Sequence, residues 1–213
     1  MGTIKNIQGM TRFGIASQNN LGVSVTEIRT YARSLGKNHD LALQLWKTGI
    51  RDARMIAACI EEPKKVTKKQ MENWVKDFNS WDICDHVCGH LFDKTPFAYD
   101  KAWEWSGRNE EFVKRAAFAL MAWLAVHDKQ ATDEKFEQFF TICIHESIDE
   151  RNYVKKAVSW ALRNIGKRNQ TLNKKALDVA KTIHSIDSKS ARWIASDVLR
   201  ELSCEKIQQR LKR

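Results

Sequence analysis

Proline and glycine are scarce, at 2 and 9 of 213 residues. A sandwich of short strands needs a turn every ~8–12 residues, and so few breakers cannot supply them. The same scarcity excludes collagen-like and low-complexity readings. No apolar run approaches the ~18 residues of a membrane span. The opening stretch, MGTIKNIQGMTRFGI, lacks the apolar core of a secretory signal. The five cysteines are odd in number and scattered, which argues against a disulfide framework and for a reducing, cytoplasmic setting. A phosphate-binding loop, a dinucleotide glycine fingerprint and a Gly-x-Ser-x-Gly elbow are all missing.

Positive charge is what the chain has in excess. Lys and Arg number 36 against 26 Asp and Glu, a formal charge of +10. An anionic partner follows, nucleic acid first. With 43% hydrophobic and 29% charged residues, the composition is that of a globular chain with a sizeable core. The length suits a single domain over 1–213.

Apolar residues recur at helical spacing almost throughout. Leu41, Leu45 and Trp46 share one face, and Ile56, Ala57 and Ile60 another. Phe112, Ala116, Ala119, Leu120 and Trp123 form a third, and Ala157, Val158, Ala161, Leu162 and Ile165 a fourth. Ser24 and Glu27 have the spacing of a capping box, and Gly36 and Gly49 read as helix ends. Eleven helices are predicted, over 24–35, 39–48, 51–61, 67–78, 81–92, 97–106, 109–127, 132–147, 150–167, 171–184 and 188–203. Phe112-Val113-Lys114-Arg115-Ala116 is echoed by Tyr153-Val154-Lys155-Lys156-Ala157, and 112 to 153 is 41 positions. A weaker echo, at 37 positions, links Val158, Leu162 and Arg163 to Ala195, Leu199 and Arg200. Such a period suits stacked helical hairpins of ~40–47 residues. The expected fold is all-α, a HEAT-like α-solenoid with a concave basic cleft; a compact bundle is the other candidate.

Several residues stand out chemically. Trp81 and Asp85 are one turn apart on a predicted helix and place a carboxylate beside an indole. A carboxylate facing DNA phosphate is repelled, but it suits a ligand that carries positive charge. Asp85 as a solvated surface acid is the competing reading. Asp82 reads as an acid favoured by the exposed N–H groups of the helix start. Arg115 and Lys156 are repeat equivalents, and Trp160 follows Lys156 by one turn, so cation and indole share a face. That pairing fits phosphate and base, although a Trp in Val-Ser-Trp-Ala-Leu-Arg reads equally as core. Cys84 with Cys88 and His86 with His90 form two pairs offset by about 200° around the helix, too far apart for one tetrahedral site. Cys59, Cys143 and Cys204 show no partner pattern. No metal and no cofactor are expected.

Four segments resemble the bacterial DNA alkylation-repair glycosylases built from HEAT-like repeats. They are Leu21-Gly22-Val23 with Thr26-Glu27; Ser80-Trp81-Asp82-Ile83-Cys84-Asp85; Phe112-Val113-Lys114-Arg115-Ala116-Ala117; and Val154 through Arg163. The likeness runs from about Met10 to about Leu202. It implies a monofunctional glycosylase that excises positively charged N3-methyladenine and N7-methylguanine from duplex DNA, without inserting the base into a pocket. The family's cleft residues fall on Trp81, Asp85, Arg115 and Trp160. Lys114, Arg115, Lys155, Lys156, Arg163 and Lys167 are the expected DNA contacts. The expected protein is a monomer with an N-terminal helix short or missing relative to the family. A non-catalytic helical-repeat binder of DNA, branched DNA included, is the alternative.

Overall fold

The computed structural model describes residues 2–212. Among these residues lie thirteen α-helices, two 3-10 turns and no strand. The helices are α1 Ile4–Arg12, α2 Val25–Leu35, α3 His39–Lys47, α4 Arg51–Ile60, α5 Lys68–Lys76, α6 Trp81–His90 and α7 Ala98–Ser106; then α8 Glu111–His127, α9 Asp133–His145, α10 Asn152–Gly166, α11 Gln170–His184, α12 Lys189–Leu202 and α13 Glu205–Leu211. No described helix is long and apolar enough to cross a membrane.

Side chains written into the sequence start the helices. Ser24 Oγ accepts from the Glu27 amide while the Glu27 carboxylate accepts from the Ser24 amide, closing the expected capping box at α2. Asn38, Thr67, Asn169 and Ser188 cap α3, α5, α11 and α12 in the same way with one side-chain acceptor each. Gly36 and Gly49 follow α2 and α3 at φ of 69° and 70°, a region open to glycine.

The chain forms two compact units, one ending at Ala98 and one beginning at Tyr99. In the first, α4 packs on α2, α3 and α6. The α5 helix joins α3 through Trp74, whose ring lies 3.9 Å from that of Trp46 and parallel to it within 2°. In the second, α10 packs on both α8 and α12, and α11 packs on α9 and α12. Two rows of helices result within that unit, the arrangement a hairpin repeat requires. The echoed aromatics Phe112 and Tyr153 meet, with centroids 5.4 Å apart. Residues 113–122 of α8 are all buried, so this helix is covered on every side rather than on one face. Gly166 lets α10 approach its neighbours, since a Cβ there would lie 2.4 Å from Leu202 Cδ1 and 3.0 Å from Ala176 Cβ.

All eleven predicted helices are present. Two more, α1 and α13, were not predicted. No residue of α1 is buried, and α13 buries Ile207 alone, so neither carries a strong apolar stripe. Local contacts hold α1 instead. Asn6 Nδ2 donates to the Gly22 carbonyl at 2.9 Å. Gly22 has φ 73°, and a Cβ at that position would sit 2.6 Å from the Thr3 carbonyl.

Candidate active site

Trp81 opens α6 and Asp85 follows one turn later; both are half-buried. The start of α6 is fixed by a chain of buried polar groups. The Asp52 carboxylate accepts from the amides of Leu21 (2.8 Å) and Val23 (2.9 Å), which explains the Leu21-Gly22-Val23 segment. Arg51 bridges this carboxylate, at 3.3 Å, to that of Asp82, at 2.6 Å. The Ser80 hydroxyl then donates to Asp82 at 2.6 Å. Arg51, Asp52, Ser80 and Asp82 are each at most 7% exposed. Asp82 does lie in the first turn, as expected, but its main role is to balance a buried guanidinium. A second tether reaches α6 from α1: Trp81 Nε1 donates to the Phe13 carbonyl at 2.8 Å. The unpredicted N-terminal helix therefore orients the indole.

Arg115 and Trp160 belong to the second unit. Arg115, on α8, is 6% exposed and donates to the Tyr153 carbonyl at 2.6 Å. Trp160, on α10, is half-buried, and its ring system meets that of Trp123 nearly at right angles, at 5.5 Å and 83°. It is thus neither wholly core nor wholly surface. Lys156 is exposed, so the repeat equivalence with Arg115 holds in position but not in environment.

The expected DNA contacts divide on their partners. Lys114 is 8% exposed, and its ammonium is paired with Glu146 and, at 3.5 Å, with Asp149. The Asp149 carboxylate is drawn below its usual range by Arg151 and then Lys114, against the opposing effect of burial. Arg163 pairs with Glu201 and, at 3.3 Å, with Asp197, while Lys167 meets Glu201 at 2.7 Å. Those two cations hold the Glu201 carboxyl below its usual range, again against burial. These three cations thus join neighbouring elements through carboxylates. Lys155 and Lys156 remain as surface candidates. Lys155 adds a partner that was not predicted, since its ammonium lies 5.5 Å from the ring of Trp193, which is 40% exposed. The 37-residue echo, carried from Lys156, falls on Trp193 and could have found it.

Cys84 and Cys88 are fully buried, as expected for structural cysteines. Burial, then Cys84 and the charges of Asp85 and Asp93, push the Cys88 thiol well above its usual range. The Asp85 carboxylate is close enough to be one of those charges. Cys59 does have partners, contrary to expectation. Its sulfur lies 3.3 Å from His86 Nε2, and the donor atoms of Cys59, His86 and His90 all fall within 4.8 Å. This is not a coordination set. The two imidazoles are stacked at 4.0 Å and within 15° of parallel, so their in-plane lone pairs cannot converge on one ion. His86 Nε2 also donates to the Met55 carbonyl at 3.1 Å. Burial and the neighbouring His90 push the His86 pKa down to about 3, so this ring stays neutral.

An all-helical chain of stacked hairpins, with an indole and a carboxylate one turn apart on a firmly anchored helix, fits the class of helical-repeat DNA-repair proteins. The family model described as "DNA alkylation repair enzyme" matches residues 1–202, and the chain belongs to that family. One solved structure, described as "a new family of proteins related to the HEAT-like repeat DNA glycosylases with affinity for branched DNA structures", superposes with a TM-score of 0.78. The match covers 94% of this chain and 91% of that chain at 20% identity, which establishes a common HEAT-like fold. No curated protein is significantly similar.

Proposed function

We propose that this protein is a DNA glycosylase that hydrolyses the N-glycosidic bond of positively charged alkylated purines such as N3-methyladenine and N7-methylguanine. The observation that carries this reading is the Trp81–Asp85 pair on α6, held at its start by the Arg51–Asp82 network and the Phe13 carbonyl. Alkylation places a formal positive charge on the purine and makes it a good leaving group. Departure of the base leaves a sugar with oxocarbenium character, and a fixed carboxylate is the group that stabilises it. Asp85 supplies this charge and orients the attacking water, whose proton the carboxylate can accept. Trp81 presents its π-face to the cationic base, worth ~0.5–2 kcal/mol, and Trp160 offers DNA the same chemistry. Arg115, held by the Tyr153 carbonyl, supplies positive charge for a backbone phosphate of the DNA. Lys155, Lys156 and Trp193 bind the flanking strand through charge and stacking. The base leaves as a neutral purine, so no general acid is needed.

Excision of 3-methyladenine and 7-methylguanine from methylated duplex DNA tests this reading. Asp85→Asn keeps the shape and removes the charge, and the rate is expected to fall by about 10²–10³ while duplex binding is retained. Release of 7-methylguanine by Asp85→Asn at the wild-type rate would overturn the assignment. The second reading, a non-catalytic binder, is favoured by the affinity for branched DNA ascribed to the structurally similar protein. Gel shifts on plain, methylated and branched DNA separate the two. Tight branched-DNA binding with no excision by the wild-type chain selects the binder.

A further inference from the structure

A cavity of about 410 Å³ lies within the first unit, lined by Arg29, Arg33, Lys37, Cys59, His90 and Lys94 with Ala32 and Gly36. No acidic side chain is among these lining residues. Two nearby carboxylates are engaged elsewhere. Glu61 accepts from Gln70 Nε2 at 2.7 Å and lies 2.7 Å from His39 Nδ1, and Glu62 pairs with Lys65 at 2.9 Å. The buried Asp93 carboxylate lies 4.0 Å from Lys94 and offsets part of its charge.

Backbone carbonyls hold both lysines. Lys37 donates to the carbonyls of Cys59 (2.9 Å) and Glu61 (2.8 Å) at the end of α4. Lys94 donates to the carbonyls of His90 (2.6 Å) and Gly89 (3.4 Å) at the end of α6. These bonds cap helix C-termini, which accounts for part of the positive charge. They leave one ammonium proton on each lysine, and the guanidinium groups of Arg29 and Arg33, one turn apart on exposed α2 positions, add forked donors. Burial, and after it the charge of Lys94, lower the pKa of Lys37, while Cys59, Glu61 and Glu62 oppose the shift. Cys59 in the wall feels the same field: burial raises its thiol pKa, and Arg29, Lys37 and Lys94 oppose that rise.

We propose that this cavity binds a phosphate group, carried by a nucleotide or by a DNA strand, between the two arginines of α2 and the two carbonyl-anchored lysines. A phosphate offers several acceptor oxygens to forked donors, matches the concentrated positive charge and fits the volume of a mononucleotide. The proposal does not depend on the glycosylase reading, because none of its residues has a role in that reading.

Cys59 is a reporter built into the wall. Cys84, Cys88 and Cys143 are buried and Cys204 is exposed. Alkylation of the full-length protein with iodoacetamide, followed residue by residue by mass spectrometry, reads both accessible thiols. Millimolar inorganic phosphate is expected to slow Cys59 several-fold and leave Cys204 unchanged, while chloride at equal ionic strength does neither. The Arg29→Ala/Arg33→Ala variant changes two exposed side chains and is expected to fold normally; it should weaken protection by roughly tenfold. Calorimetric titration of the same two proteins with phosphate gives an independent reading. Adenosine monophosphate distinguishes a nucleotide ligand, and hairpin DNA with and without a 5′-phosphate distinguishes a strand end. Protection by chloride equal to that by phosphate, or full protection in the double variant, overturns the proposal.

Discussion

Removing Arg51 tests whether the buried network holds the start of α6. The guanidinium is 7% exposed and lies between the carboxylates of Asp52 and Asp82, which are 2% and 7% exposed. In Arg51→Met the stem packing is largely kept and the charge is lost. Asp52 retains two backbone amides and Asp82 retains the Ser80 hydroxyl, but two negative charges are left buried together. Breaking a buried pair by deleting one partner costs about 3–5 kcal/mol. In Asp82→Asn, by contrast, Arg51 still has Asp52 at 3.3 Å, and the amide oxygen can still accept from Arg51. With the amide oxygen turned to Arg51 and the amide NH2 donating to a reoriented Ser80 hydroxyl, that variant is expected to lose less, about 1–3 kcal/mol for a weakened charged hydrogen bond. Urea unfolding of the wild type and both variants measures the difference, and excision assays on the folded fraction show whether a loosened α6 misplaces Trp81. The reasoning fails if Arg51→Met is no less stable than Arg33→Met, an exposed control, or if Asp82→Asn is the worse of the two.

His86 carries a pH prediction. Its folded pKa of about 3 lies below the unfolded value of 6.5, so unfolding takes up a proton over that window. Stability contributed above pH 6.5 is therefore lost progressively as the pH falls towards 3. Between pH 6.5 and 5, above most carboxylate titrations, the urea midpoint of the wild type should fall more steeply than that of His86→Gln; parallel slopes would remove the argument. Trp193→Ala is expected to weaken duplex binding by ~1–3 kcal/mol, and Lys155→Gln to reduce the slope of log K against log salt by about 0.9. Lys114→Met should instead lower the melting temperature with little change in that slope, and a salt-slope change matching that of Lys155→Gln would reinstate it as a phosphate contact. Arg115→Lys keeps the charge but loses the forked donors, so excision should drop without recovery; wild-type excision by this variant would reduce Arg115 to a point charge.

Regular helix signals were readable because caps and apolar faces are local. The Ser24–Glu27 box and the 41-position echo between Phe112 and Tyr153 depend on residues three places apart or one repeat apart, and both recur in the structure. What escaped was long-range pairing. Nothing near Lys114 in sequence announces Glu146, 32 positions away, or near Arg163 announces Glu201, 38 positions away. Cys59 looked isolated for the same reason, since His86 comes to it across 27 positions. The helix α1 was missed because it buries nothing, yet its end supplies the carbonyl that orients Trp81. Trp81 and Asp85 were readable as a pair, since i and i+4 meet on any helix, but the Arg51–Asp82 support beneath them was not.

One repeat position shows how a regular fold acquires a specialised surface. Arg115, Lys156 and Trp193 are equivalents under the 41- and 37-residue echoes. At the first, the cation is 6% exposed and joins α8 to α10 through the Tyr153 carbonyl. At the second, on α10, the cation is exposed. At the third, on α12, an indole 40% exposed lies beside Lys155. The backbone repeats, but burial of the position changes from one helix to the next. Side-chain chemistry changes with it, from anchored cation to solvated cation to stacking surface. Net charge alone could not separate these roles, because the paired Lys114, Arg163 and Lys167 count equally in the +10. Which cations meet carboxylates is set by contacts 32 to 38 positions apart, and identifying them requires the fold as well as the sequence.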